Sequence, residues 1–177
     1  MCSSDLHVDL RMAVTNLTGD DWHDVFSLNC LNPVRAPEFK DWKLTRTFVS
    51  VRGRPTPLAR TTRNPGWRPT VGIYLPEGTP EGHEPPFAAA TGGISHDRTD
   101  ADWIATCSDP PGSYIAATSS DALFLFNNQD RCCIHSATSF GTIPAGQSRT
   151  TISRLHFARG DLDDFLDKAL QPDVASR

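Results

Sequence analysis

Between Ala122 and Phe157 the chain runs in short apolar blocks separated by turn residues. Ala122-Leu123-Phe124-Leu125-Phe126 leads into Asn127, then come Cys132-Cys133-Ile134-His135, Phe140-Gly141, Pro144-Ala145-Gly146-Gln147 and Leu155-His156-Phe157. The order is strand, turn, short strand, loop, proline–glycine turn and long strand. That succession belongs to an all-β sandwich or barrel. The 14 prolines and 12 glycines spread along the chain suit short strands and tight turns better than helices.

The rest of the sequence repeats the pattern. Val8, Leu10, Met12 and Val14 alternate with Asp9, Arg11 and Ala13, the period of a half-buried strand. Trp22, Phe26, Leu28 and Cys30 fall on even positions after the turn residues 16–21, so an antiparallel hairpin or meander is expected there. Further strands are expected over Leu44 to Val51, Val71 to Leu75, Trp103 to Cys107, Tyr114 to Ala117, Leu123 to Phe126 and Ser148 to Phe157. Arg52-Gly53-Arg54-Pro55 and Asp109-Pro110-Pro111-Gly112 read as turns, and Pro76 to Gly93 as a long proline-rich loop. Only the tail reads as helical. Asp161 can cap it, and Leu162, Phe165, Leu166, Ala169 and Leu170 form one apolar stripe, expected to pack on the end of the sheets.

The fold class is therefore all-β: an antiparallel β-sandwich with one C-terminal α-helix. Residues 7–170 are expected to form a single domain, with 171–177 as a frayed tail. Met1-Cys2-Ser3-Ser4-Asp5-Leu6 matches the translated end of a common sequencing adapter, so residues 1–6 are expected to be an artefact. On that reading the chain is the C-terminal part of a longer bacterial protein known from environmental DNA. Its N-terminus then carries no information on compartment. The formal net charge is −4 and no block of Lys or Arg occurs, so nucleic acid is not an expected partner. No apolar run approaches the ~20 residues of a membrane helix, so no membrane is expected either.

Chemistry-bearing residues are scattered. His135 leads, because imidazole titrates near neutrality and lies here between a short strand and a Ser/Thr loop. Cys133 stands two residues away and shares its strand face, which puts the side chains roughly 6–7 Å apart on a regular strand. Direct proton transfer is not expected over that gap. Trp22-His23-Asp24 and His96-Asp97 each offer a His–Asp pair, but neighbours on a strand face opposite ways. No C-x-x-C, H-x-H or H-E-x-x-H spacing occurs, so no metal and no cofactor are expected from local spacing. Cys30, Cys107, Cys132 and Cys133 read as free thiols packed as small apolar groups. Gly-rich phosphate loops and G-x-S-x-G are absent from the sequence. Trp42 and Trp67 sit among polar and arginine residues, a setting in which sheets hold sugars; with His23 and Asp41 they are the expected binding residues.

Met12-Ala13-Val14-Thr15-Asn16-Leu17-Thr18, Cys30, Arg46-Thr47-Phe48-Val49, Cys133-Ile134-His135-Ser136 and Ile143-Pro144-Ala145-Gly146-Gln147 together give the chain a resemblance. It resembles uncharacterised bacterial β-sandwich proteins and is similar to carbohydrate-associated supersandwich domains of the galactose-mutarotase type. That family's catalytic histidine and glutamate motifs are not recognisable here, and no catalytic residue is carried over. The resemblance implies a carbohydrate-associated binding module without catalysis of its own. Two alternatives stand beside it: a small hydrolase or isomerase of sugar-like substrates with His135 as general acid or base, and a structural module supporting an upstream domain.

Overall fold

The computed structural model describes residues 6–63 and 70–169. It is an antiparallel β-sandwich, as the alternation predicts. One sheet holds six strands: β1 (Leu6–Thr15), β3 (Thr47–Val51), β4 (Arg54–Pro57), β6 (Trp103–Cys107), β7 (Ser113–Ser119) and β10 (Ser148–Arg159), in the order β1-β10-β7-β6-β3-β4. The other holds β2 (Trp22–Leu31), β5 (Val71–Tyr74), β8 (Ala122–Asn128) and β9 (Cys133–Ile143), in the order β2-β9-β8-β5. Val49, Leu58, Tyr74, Ile104, Leu125 and Ile134 meet between the sheets as the main core. β-Branched and aromatic side chains dominate because they fill the space between pleated layers best.

The expected hairpin of the first two strands does not form. β1 pairs with β10, and β2 pairs with β9 in the opposite sheet. Period-two alternation tells which face of a strand is apolar, but not which strand lies beside it. The turn after β1 is therefore a corner between layers, and Asn16 builds it. Its amide nitrogen donates to the carbonyls of Asp20 (2.7 Å) and Ile143 (2.9 Å). Its side-chain oxygen accepts from the Thr18 amide (3.0 Å) and hydroxyl (2.7 Å). Its backbone bonds Gln147 and Gly146 in the β9–β10 turn, at 2.9 Å each. Asn16 is fully buried, so the sequon-like Asn16-Leu17-Thr18 is a structural lock whose amide nitrogen is already committed.

Both outer faces are also partly covered, beyond what the sequence predicts. α1 (Pro86–Thr91) lies inside the segment expected to be loop. Proline is tolerated at the first helical position, where its missing N–H has no partner to lose, and Pro86 occupies it. Phe87 of α1 stacks on Phe124 at 5.5 Å and meets Phe26 and Phe126 edge-on, covering part of the outer face of the four-stranded sheet. Gly93 then returns the chain so close to β5 that a Cβ there would stand 2.6 Å from the Val71 carbonyl oxygen. α2 (Leu162–Ala169) is the expected C-terminal helix, with the Asp161 carboxylate accepting from the Asp163 amide at 2.9 Å. It packs on the face of the six-stranded sheet rather than at its end. Leu162, Phe165 and Leu166 cover Trp103, Ala105, Tyr114 and Ala116, and Phe165 stacks on Tyr114 at 5.3 Å. Leu170 lies outside the described residues.

Asn16→Ala leaves the Ile143 and Asp20 carbonyls without their donor and opens a gap at the corner. It is expected to destabilise the fold by about 3 kcal/mol, read as a lower midpoint in urea unfolding at unchanged slope.

Candidate functional site

β9 is an interior strand of its sheet, flanked by β2 and β8. Cys132, in the left-handed region at φ 51, ends the 3-10 turn Gln129–Arg131 and hands the chain to β9. From there, alternate residues point outward. His135 stands across the ladder from Cys30 of β2 on one side and from Phe126 of β8 on the other. Its ring meets Phe126 edge-on, with centroids 4.7 Å apart. The ligand atoms of Cys30, Cys133 and His135 all lie within 4.8 Å of one another, and His135 Nε2 is 3.1 Å from Cys133 Sγ. The 6–7 Å gap expected for this pair is corrected here: strand spacing fixes the Cβ atoms, whereas side chains lean along the strand and an imidazole reaches well beyond its Cβ. Cys30 is exposed rather than packed as an apolar group.

Burial sets the charge state of this cluster. His135 is 6 % exposed, and desolvation lowers its pKa from 6.5 to about 4, the Asn29 backbone acting weakly the other way. Cys133 is pushed up to about 12, chiefly by burial and then by the Cys30 sulfur beside it. At neutral pH the pair is a thiol beside a neutral imidazole, not a thiolate–imidazolium pair. An activated nucleophile needs the opposite shifts. Among the described residues the buried His135 Nδ1 has no hydrogen-bond partner.

The other expected site residues lie elsewhere. His23 is exposed at the start of β2, 3.3 Å from the Thr142 hydroxyl, where Asp24 at φ 52 accompanies a bulge in the β2–β9 pairing. Asp41 is only 3 % exposed, and its carboxylate is occupied by the chain itself. It accepts from the Thr45 and Arg46 amides at 3.2 and 2.8 Å and from the Thr47 hydroxyl at 2.9 Å. Arg46 completes this clasp by donating to the Cys107 and Lys40 carbonyls. Asp41 therefore organises the loop before β3, and its oxygens are not presented to a ligand. His156 lies under α2 on the other sheet, its Nε2 3.1 Å from the Thr118 hydroxyl and its ring edge-on to Phe165. His135, His156 and Asp41 thus occupy three separate places. Trp67 lies outside the described residues.

Trp42 is 53 % exposed, and its carbonyl accepts from the Gln129 side chain at 2.5 Å. Gln129 in turn accepts weakly from Arg63 at 3.4 Å. The neighbouring residue Thr62 donates its amide to Asp97 at 2.5 Å. Asp97 forms one wall of an open cleft of about 380 Å³ lined also by Val51, Arg52, Arg54 and Thr56. The cleft sits at the β3–β4 hairpin, where Arg52 and Gly53 both have positive φ (54° and 69°), the geometry of a primed two-residue turn. Among the described residues no helix is long and apolar enough to cross a membrane. No protein-family model, curated protein or solved structure matches the chain.

Asp102 stands near a second carboxylate, that of Asp121. Asp102, just before β6, is raised from 3.8 to about 6, first by burial, with Asp121 adding repulsion and the Ala122 amide opposing both. The folded chain therefore holds a proton that the unfolded chain releases. The resulting stability is complete below pH 3.8 and is lost as pH rises through about 6. Asp102→Asn keeps an acceptor for the Ala122 amide and removes the charge. After allowance for residual solvent screening, it is expected to stabilise the fold by about 1 kcal/mol at neutral pH and by nothing at pH 3, measured by thermal melts at both.

Proposed function

We propose that the chain is a carbohydrate-associated binding module with no catalysis of its own, and that it takes saccharides on the sandwich rim at Trp42, the Arg52–Arg54–Asp97 cleft offering a further polar surface. The exposed Trp42 indole carries this reading. A flat apolar face beside hydrogen-bonding groups matches a sugar ring, which has C–H faces and an O–H perimeter. Gln129 grips the Trp42 backbone, so the indole is presented on a fixed loop. Arg52, Arg54, Thr56 and Asp97 line an open cleft at the β3–β4 hairpin, whose donors and acceptors suit sugar hydroxyls.

A hydrolase or isomerase using His135 has less support. That ring is buried and neutral, and its Nε2 already faces a thiol. The reading as a structural module supporting a further domain is favoured by one feature: Leu6 and Val8 of β1 are exposed although they lie on its apolar face.

Calorimetric titration with a panel of neutral and acidic oligosaccharides tests the proposal. Binding by the intact chain is expected to weaken about tenfold or more in Trp42→Ala, ~1.4 kcal/mol, and to fall also in Arg54→Ala. The Gln129 bond goes to the Trp42 carbonyl, so alanine leaves the loop tied. Absence of binding across the panel, or binding untouched by Trp42→Ala, rejects this reading.

A further inference from the structure

We infer that Cys30, Cys133 and His135 form a binding site for one zinc-class metal ion, with a fourth coordination position open toward solvent. The site is distinct from the saccharide rim and does not depend on it. It joins two strands far apart in sequence: Cys30 on β2, and Cys133 with His135 on β9. Cross-strand pairing of Cys30 with His135 fixes one edge of the triangle, and the two-residue step along β9 fixes another.

The geometry suits a tetrahedral ion. With metal–sulfur bonds near 2.3 Å and a metal–nitrogen bond near 2.0 Å, two ligand atoms on one zinc lie roughly 3.5–3.8 Å apart. The three ligand atoms here lie within 4.8 Å of one another, and the closest pair is 3.1 Å apart. Side-chain rotations that move the ligand atoms by up to about 1 Å close the difference. Among the described residues this is the one such triad of histidine, cysteine or carboxylate ligands.

Charge and donor type select the ion. Two thiolates and an imidazole are soft-to-borderline donors, suited to zinc and poorly suited to calcium or magnesium. Binding replaces two S–H bonds by two metal–sulfur bonds and releases both protons to solvent, while His135 gives a lone pair and loses no proton. Two negative sulfurs then cancel a dication, so the filled site is neutral. Neutrality matters beside Phe126, where an isolated charge would be costly. Cys30 supplies the way in, because it is exposed while the other two ligands are buried. Three protein ligands plus one open position is the arrangement of a metal centre that can take water or a small donor in its fourth place.

The test uses the whole reduced chain and cobalt(II) as a coloured substitute for zinc. The intact protein is expected to bind one equivalent of cobalt, with a thiolate-to-metal charge-transfer band and intense visible bands of tetrahedral cobalt, and zinc displaces them. Cys30→Ser, at an exposed edge-strand position where folding is not at risk, is expected to weaken zinc binding at least about tenfold, the minimum loss seen even for outer-shell changes. It also halves the charge-transfer intensity. Cys107→Ser, on the outer face of the other sheet, changes neither. Zinc is expected to raise the melting temperature of the intact chain and of Cys107→Ser, but much less that of Cys30→Ser. A wild-type protein with no charge-transfer band, or a Cys30→Ser protein that binds zinc as well as wild type, overturns the proposal.

Discussion

The amide of Asn16 holds the point on which the architecture turns. The chain leaves the six-stranded sheet after β1 and must enter the four-stranded sheet as β2; it makes the reverse crossing from β9 to β10. Both crossings lie at the same corner. A corner between layers strands backbone carbonyls that no ladder can reach, and burying them unpaired would cost more than one loop can recover. Asn16 reaches Ile143 at the end of β9 and Asp20 before β2 with a single nitrogen. The pairing of β2 with β9 that starts at this corner sets Cys30 beside His135 along the same ladder.

On that ladder, desolvation decides the chemistry. Among the described residues nothing charged stands near enough to His135 to offset its loss of water, so the ring stays neutral and the thiol at 3.1 Å keeps its proton. Had a carboxylate faced the ring, as in nucleophilic triads, the same distance would mark an activated sulfur. The same desolvation raises Asp102 to about 6, because a carboxyl, unlike an imidazole, is charged when it has lost its proton; the Ala122 amide opposes this and Asp121 adds a smaller repulsion. Burial favours the neutral form of each group, so it lowers the histidine and raises the carboxyl into a histidine's range.

Much of the architecture was legible because it rests on local rules. Trp103–Cys107 appears with the expected limits, Asp161 caps the last helix, and the turns at Arg52-Gly53 and Asp109–Gly112 join consecutive strands. What was not legible was non-local. No periodicity tells β2 to seek β9, so Cys30 could not be brought to His135 across more than a hundred residues. Asp41 looked available because acids in loops usually are; the backbone amides that fill its oxygens belong to the geometry of that loop, which composition does not encode. α1 hid behind Pro85-Pro86, residues that break helices in the middle and begin them at the front.

Among the described residues β1 has a strand neighbour on one side only. Along its ten residues the outer row of amides and carbonyls meets no other strand among the described residues, and Leu6 and Val8 stand uncovered on its inner face. Such a border can accept an extended segment from another molecule, with main-chain bonds supplying the grip. His7, Asp9 and Arg11 interrupt it, and Asp9 is bound sideways to Arg154 at 2.6 Å. These charges give the border a selective character: a visiting strand must offer apolar residues on alternate positions and complementary charges between them, and two copies approaching at random do not.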